Sequence, residues 1–188
     1  MTARWAVEVV QPERDLNITW QPISLLFKNN PPEDSDYYPP SLYTHKLLRV
    51  FESVKVAGGN DAAFAFYWEC GRAIHHDDGL YTSPEILLEQ AGLDVSHAAA
   101  FEDETWDAVI REKMDEGLEL VGQDVGTPII AFDSPEGKIG IFGPVISHVP
   151  RGEEGVKLWD AMVTMSTMDG FWELKRTRTV RPDFGERP

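Results

Sequence analysis

The chain has 188 residues, 42% of them hydrophobic and 26% charged, which is enough apolar material for a packed core and excludes a disordered tail protein. Its 32 acidic against 17 basic residues leave a formal net charge of −15, which argues against nucleic acid and anionic membrane surfaces as partners. The single cysteine, Cys70, excludes an intramolecular disulfide. With no bilayer-length apolar run and no signal-peptide core at Met1-Thr-Ala-Arg-Trp-Ala-Val-Glu8, the expected location is cytoplasmic.

The first ten residues read as a helix, with Trp5 and Val9 on one face and Arg4 and Glu8 one turn apart on another. Pro12-Glu-Arg-Asp15 should end it. Leu16 to Gln21 alternates apolar and polar residues, the pattern of a half-buried strand, and Pro22 confines that strand to an edge or an end. Ile23 to Phe27 is a short apolar continuation. Asn29 to Pro40 is dense in breakers and reads as a surface loop leading into a different layer.

From Ser41 to Gly122 the pattern is helical. Leu42, His45, Leu47, Val50, Phe51 and Val54 recur at three- and four-residue steps until Gly58-Gly-Asn-Asp61 stops the helix. A second helix runs from Ala62 to Ile74. Ser83-Pro84-Glu85 starts a third, through a capping side chain, a first-turn proline and an acidic residue at the positive pole. A short helix follows at Ser96 to Phe101. The clearest runs from about Glu104 to Leu120, with Trp106, Ile110, Met114 and Leu118 on its apolar stripe.

Asp124-Val-Gly126-Thr127-Pro128 then enters the strand-like run Ile129 to Phe132. Proline cannot donate to a ladder, and one way to reconcile its place here is a cis Thr127–Pro128 bond at the strand's mouth, kept because a site needs it. Asp133 to Lys138 reads as a hairpin loop before a second strand, Lys138 to Phe142. A last helix is expected from Arg151 to Ser166. Phe171 to Thr179 forms a basic-aromatic tail, in which Lys175, Arg176 and Arg178 either stay solvated or fold back onto acidic surface. Pro182 onward is expected to fray.

Cys70 sits mid-helix beside aromatics and reads as a buried structural thiol. His75-His76-Asp77-Asp78 has metal-ligand residue types, but neighbours on a helix diverge, and histidines complementing a helix C-terminus are the simpler account. His148 is a loop histidine, more often solvated than functional. Arg151 opens the last helix, where free N–H groups suit an anion, although Glu153 and Glu154 suit the same pole.

Val121 to Pro128, Phe142-Gly-Pro-Val145, Pro150-Arg-Gly-Glu-Glu154, Leu158-Trp-Asp160 and Phe171 to Arg178 together resemble the DsbA-like thioredoxin superfamily, and more narrowly its mycothiol-dependent nitroreductase branch. The resemblance covers essentially the whole chain. It implies an α/β fold, a thioredoxin-like sheet with a large helical insertion. Residues 1–30 and 121–188 would form the discontinuous thioredoxin-like domain and 38–120 the insert. It implies a thiol-disulfide oxidoreductase or nitroreductase, with mycothiol or a similar low-molecular-weight thiol as electron donor and no tightly bound cofactor or metal. The partner would be a small electrophile or disulfide, held in a groove between sheet and insert. Gly126, Thr127 and Pro128 would position it, and Trp5 and Arg151 are further candidates for contact.

Family members carry Cys-Pro-Trp-Cys or Cys-Pro-Trp-Ala ahead of the segment that corresponds to Thr2-Ala-Arg-Trp5. The expectation is therefore an N-terminally truncated chain that lacks the first strand and the nucleophilic cysteine, which belongs upstream of Met1. A vacancy in the sheet would favour a homodimer or aggregation. The alternatives are a redox-inactive thioredoxin-fold binding module and a relative of kappa-class glutathione transferases or isomerases, with serine in place of the cysteine.

Overall fold

A computed structural model describes residues 1–135 and 137–188. In chain order the elements are α1 (Thr2–Trp5), a π-helical stretch (Ala6–Val10), α2 (Gln11–Arg14), α3 (Leu25–Asn29), α4 (Tyr38–His76), α5 (Pro84–Gln90), two 3-10 stretches (Val95–Glu102 and Glu104–Trp106), α6 (Asp107–Val121), β1 (Ile129–Ser134), β2 (Gly137–Phe142) and α7 (Gly152–Ser166). The protein is mixed α/β, with one two-stranded antiparallel sheet among the described residues. Two compact units emerge: residues 1–18 with 116–185, and residues 19–115 with 186–188. Residues 19–30 thus fall with the helical unit.

In the first unit the opening helix passes the proline that was expected to stop it. The Gln11 N–H reaches back five residues to the Ala6 carbonyl. This wider turn lets Pro12 enter as a first-turn residue of α2, where its missing N–H costs little. Asp15, at φ 48°, caps the helix after Arg14, at the end of the Pro12 to Asp15 segment expected to stop it. Trp5, Val9 and Val10 meet Met162 of α7, and Ile130, Ile141, Val156 and Trp159 close around them. β1 and β2 pair from Ile129↔Phe142 to Ser134↔Gly137, so the ladder runs into the segment expected as loop; Glu136 of that segment lies outside the described residues.

The strand expected at Leu16 to Gln21 joins no ladder. Side chains satisfy its backbone instead. The Trp20 N–H donates to Asn60 Oδ1 at 2.9 Å, and its carbonyl accepts from Lys55 Nζ at 2.5 Å. The apolar half of the alternation is used by stacking, with the Trp20 ring 5.2 Å from Phe64 and 5.3 Å from Tyr67. The apolar continuation at Ile23 to Phe27 becomes the cap and start of α3. Among the described residues the sheet therefore has two strands, where a larger thioredoxin-like sheet was expected.

In the second unit α4 begins at Tyr38, earlier than expected, because Pro39 and Pro40 fall in its first turn, where proline is tolerated. It breaks at Gly59, within the Gly-Gly-Asn-Asp segment expected to separate two helices. Leu47, Val50, Phe51, Val54, Ala63 and Phe66 pack with Leu87 and Leu88 of α5 and Ala100 of the first 3-10 stretch. Arg49 and Asp107 tie α4 to α6 through a two-pronged ion pair at 2.6 and 2.9 Å.

The end of the chain is not frayed. The Asp183 N–H donates to the Ser147 carbonyl at 2.7 Å, the Phe184 carbonyl accepts from Arg4, and Arg187 grips Asp77. The segment before it is open, with Trp172 89% exposed. Among the described residues no helix is long and apolar enough to cross a membrane.

Candidate functional site

The segment from Asp124 to Pro128 leaves α6 through Gly122, crosses the surface and delivers the chain into β1. The Thr127–Pro128 peptide is cis, and so is Gly143–Pro144 at the far end of the hairpin. The antiparallel register brings Pro128 opposite Gly143, since Ile129 pairs with Phe142 and these residues flank that pair. The Gly143 N–H donates to the Pro128 carbonyl at 2.8 Å. Gly143 sits at φ +101°, a conformation open to glycine, and an added Cβ would lie 3.1 Å from the Val145 nitrogen. Next in line, the Pro144 carbonyl accepts from Thr2 Oγ1 at 2.7 Å. A continuous path of hydrogen bonds thus joins the proline loop to the first residue of α1.

Thr127 and Gly126 are exposed and Pro128 is half-buried. Among the described residues Thr127 makes no hydrogen bond, so its backbone and hydroxyl face solvent unpaired. Gly126 lies over the Phe142 ring, which an added Cβ would meet at 3.7 Å. The arrangement offers a short length of open backbone beside the start of a helix. An extended thiol or peptide can pair with such an edge, and the helix start favours negative charge.

Trp5 does not join this surface. It was expected to line a groove, but it is 0% exposed, donates from Nε1 to the Gly155 carbonyl at 3.0 Å and tilts against Trp159 with ring centroids 5.9 Å apart. Helical periodicity puts it on the apolar face with Val9, and it is the reading from the family resemblance that its burial overturns. Arg151 precedes α7 as its N-cap residue and is exposed, but its guanidinium is engaged. Nη1 donates to Glu8 Oε2 at 2.5 Å, while Glu8 Oε1 accepts from Arg4 Nε at 2.7 Å. An anion at Arg151 would have to compete with Glu8.

Sequence reasoning missed Thr2 and Pro144 as parts of this arrangement. The Gly-Pro dipeptide at 143–144 was a visible turn signal. Its pairing with Thr2 spans 142 positions and has no local trace.

Cys70 is remote from such chemistry. It is buried, and burial pushes its thiol well above the ordinary cysteine range, which keeps it protonated and unreactive. Asp77 is held by Arg187 at 3.0 Å, and among the described residues no three His, Cys, Asp or Glu side chains are grouped to hold a metal ion. His148 is exposed in its loop.

A family model described as Rv2466c-like, mycothiol-dependent nitroreductase Rv2466c, matches residues 1–176.

Proposed function

The chain belongs to the Rv2466c-like mycothiol-dependent nitroreductase family, and from that premise we propose that residues 1–18 and 116–185 form the substrate-holding part of a thiol-dependent oxidoreductase with a thioredoxin-like plan. The observation that supports this reading is the path from Pro128 through Gly143 and Pro144 to Thr2, which sets the unpaired Thr127 backbone beside the start of α1. Thr127 and Gly126 hold an extended thiol or a small electrophile by backbone contact, and Pro128 fixes the loop. The helix start stabilises a thiolate in the same place.

The electron balance is that of thiol chemistry. Two mycothiol thiols give up two electrons and two protons as one disulfide forms, and a nitro compound or a disulfide takes them up. Cys70 is buried and held protonated and does not supply the reacting sulfur, so what the proposal requires is a cysteine set against the start of α1. Cys70's burial also favours a second reading, a redox-inactive module that binds the small thiol or its disulfide through the same loop.

Two measurements separate the readings. Mycothiol-driven reduction of a nitro substrate and of insulin disulfides is followed with the 188-residue chain and with a version carrying a Cys-Pro-Trp-Cys extension ahead of Met1. The proposal expects no turnover above the uncatalysed rate for the former, clear turnover for the latter, and loss of that turnover in Pro128→Ala. Turnover by the unextended chain, or an inert extended chain that still folds, overturns it. In the second case, binding of mycothiol disulfide that is lost in Pro128→Ala establishes the binding module.

A further inference from the structure

The helical unit contains a buried polar chain that the proposed redox chemistry does not use. Ser24 and His45 are 0% and 1% exposed. Ser24 Oγ lies 2.9 Å from His45 Nδ1, and His45 Nε2 lies 3.1 Å from Asp107 Oδ1. Arg49 holds Asp107 from the other side with its two prongs. Ser24 is also the N-cap of α3, where its Oγ accepts from the Phe27 N–H at 3.1 Å.

The donors and acceptors allow one assignment at neutral pH. The Asp107 carboxylate, already paired with Arg49, only accepts, so His45 Nε2 carries the ring proton. Nδ1 is then an acceptor and the Ser24 hydroxyl donates to it. Ser24 Oγ keeps its lone pairs for the Phe27 N–H, and every group in the chain is satisfied. An imidazolium breaks this pattern. Nδ1–H would donate to Ser24 Oγ, whose two lone pairs are then both taken, one by the Phe27 N–H, and the Ser24 hydroxyl proton would lose the acceptor it has in the neutral state, in a fully buried site.

We propose that Ser24, His45 and Asp107 form a proton-sensitive latch on α3, which the neutral imidazole locks and the imidazolium releases. The charged groups around the ring come from both packed helices: Arg49 from α4, Asp107 and Arg111 from α6. From α3 the ring meets Phe27, at 4.4 Å between centroids, and the Arg111 guanidinium sits over that phenyl ring, 4.0 Å from its centroid. Burial is the main influence and disfavours the cation, the two arginines add to it, and Asp107 opposes them, so His45 is held below the ordinary histidine range.

The sign follows directly. The unfolded chain protonates His45 first, so stability is complete above the ordinary value of about 6.5 and falls as the pH drops below it, levelling off under the folded-state value. For one proton the folding equilibrium constant falls by at most about tenfold per pH unit within that window. The released segment is the start of α3, which Ser24 caps.

The test titrates the wild-type chain from about pH 8 to about pH 5 by NMR, following the His45 ring nitrogens and the Phe27 amide. The latch predicts an Nε2–H tautomer at the top of the range, protonation below the ordinary value, and a Phe27 amide shift that titrates with the ring. His45→Gln, which can accept from Ser24 and donate to Asp107 without titrating, should flatten the pH dependence of urea unfolding relative to wild type. A ring that titrates at its ordinary value, a Phe27 amide that does not follow it, or equal pH slopes in wild type and His45→Gln would overturn the proposal. The wild-type titration decides by itself if the variant fails to fold.

Discussion

Glu52 is 4% exposed on α4, and among the described residues its Oε1 has no hydrogen-bond partner. Burial raises the carboxyl's affinity for its proton, and Lys55 and Lys113 only partly counter it. A carboxyl that prefers its proton in the folded state loses stability as the pH rises through its unfolded value and does not regain it above. Glu52→Gln removes the charge that burial disfavours and is therefore expected to stabilise the protein at neutral pH, on the order of 1 kcal/mol, the scale of burying a polar group. The gain should vanish under acid conditions, and urea unfolding at neutral and acid pH measures both. At this scale the sequence was read well where one local rule applied. Cys70 amid aromatics was expected to be buried, and it is. Trp5 was expected to contact substrate through the family resemblance, whereas its apolar stripe with Val9 pointed to the core, where it lies.

α7 shows how tightly an element can be held. Gly155, in its first turn, is buried, and an added Cβ would lie 2.6 Å from the Pro150 carbonyl oxygen and 2.7 Å from Val9 Cγ1. Its own carbonyl receives the Trp5 indole N–H. Gly155→Ala should force the opening helix and α7 apart and cost about 1–3 kcal/mol, read as a lower urea midpoint with an unchanged slope. An unchanged midpoint would show that the two helices yield freely there. Helices were the most legible elements, because periodicity and first-turn prolines act within a few residues. The errors came where a longer-range partner decided the outcome. Leu16 to Gln21 is no strand because Asn60 and Lys55 take its backbone groups.

Over the whole molecule, each unit closes on a core of its own, one around Phe51, Phe66 and Leu88 and the other around Trp5, Val10 and Met162. Met162→Ala removes a 3% exposed side chain from the second and should cost about 2–5 kcal/mol. Hydrogen exchange should show lost protection first across residues 1–18 and 116–185; uniform loss over the chain would contradict separate cores. The amino-acid order alone determined the helical stretches, the hairpin around residue 135, the proline at the mouth of β1 and the family, because these rest on short-range chemistry and on motifs that survive as letters. Only the tertiary structure decided that Pro128 meets Gly143, that Thr2 meets Pro144, and that Ser24, His45 and Asp107 form one chain of hydrogen bonds. Those contacts join residues from 15 to 142 positions apart, and packing sets their geometry, which no local pattern records.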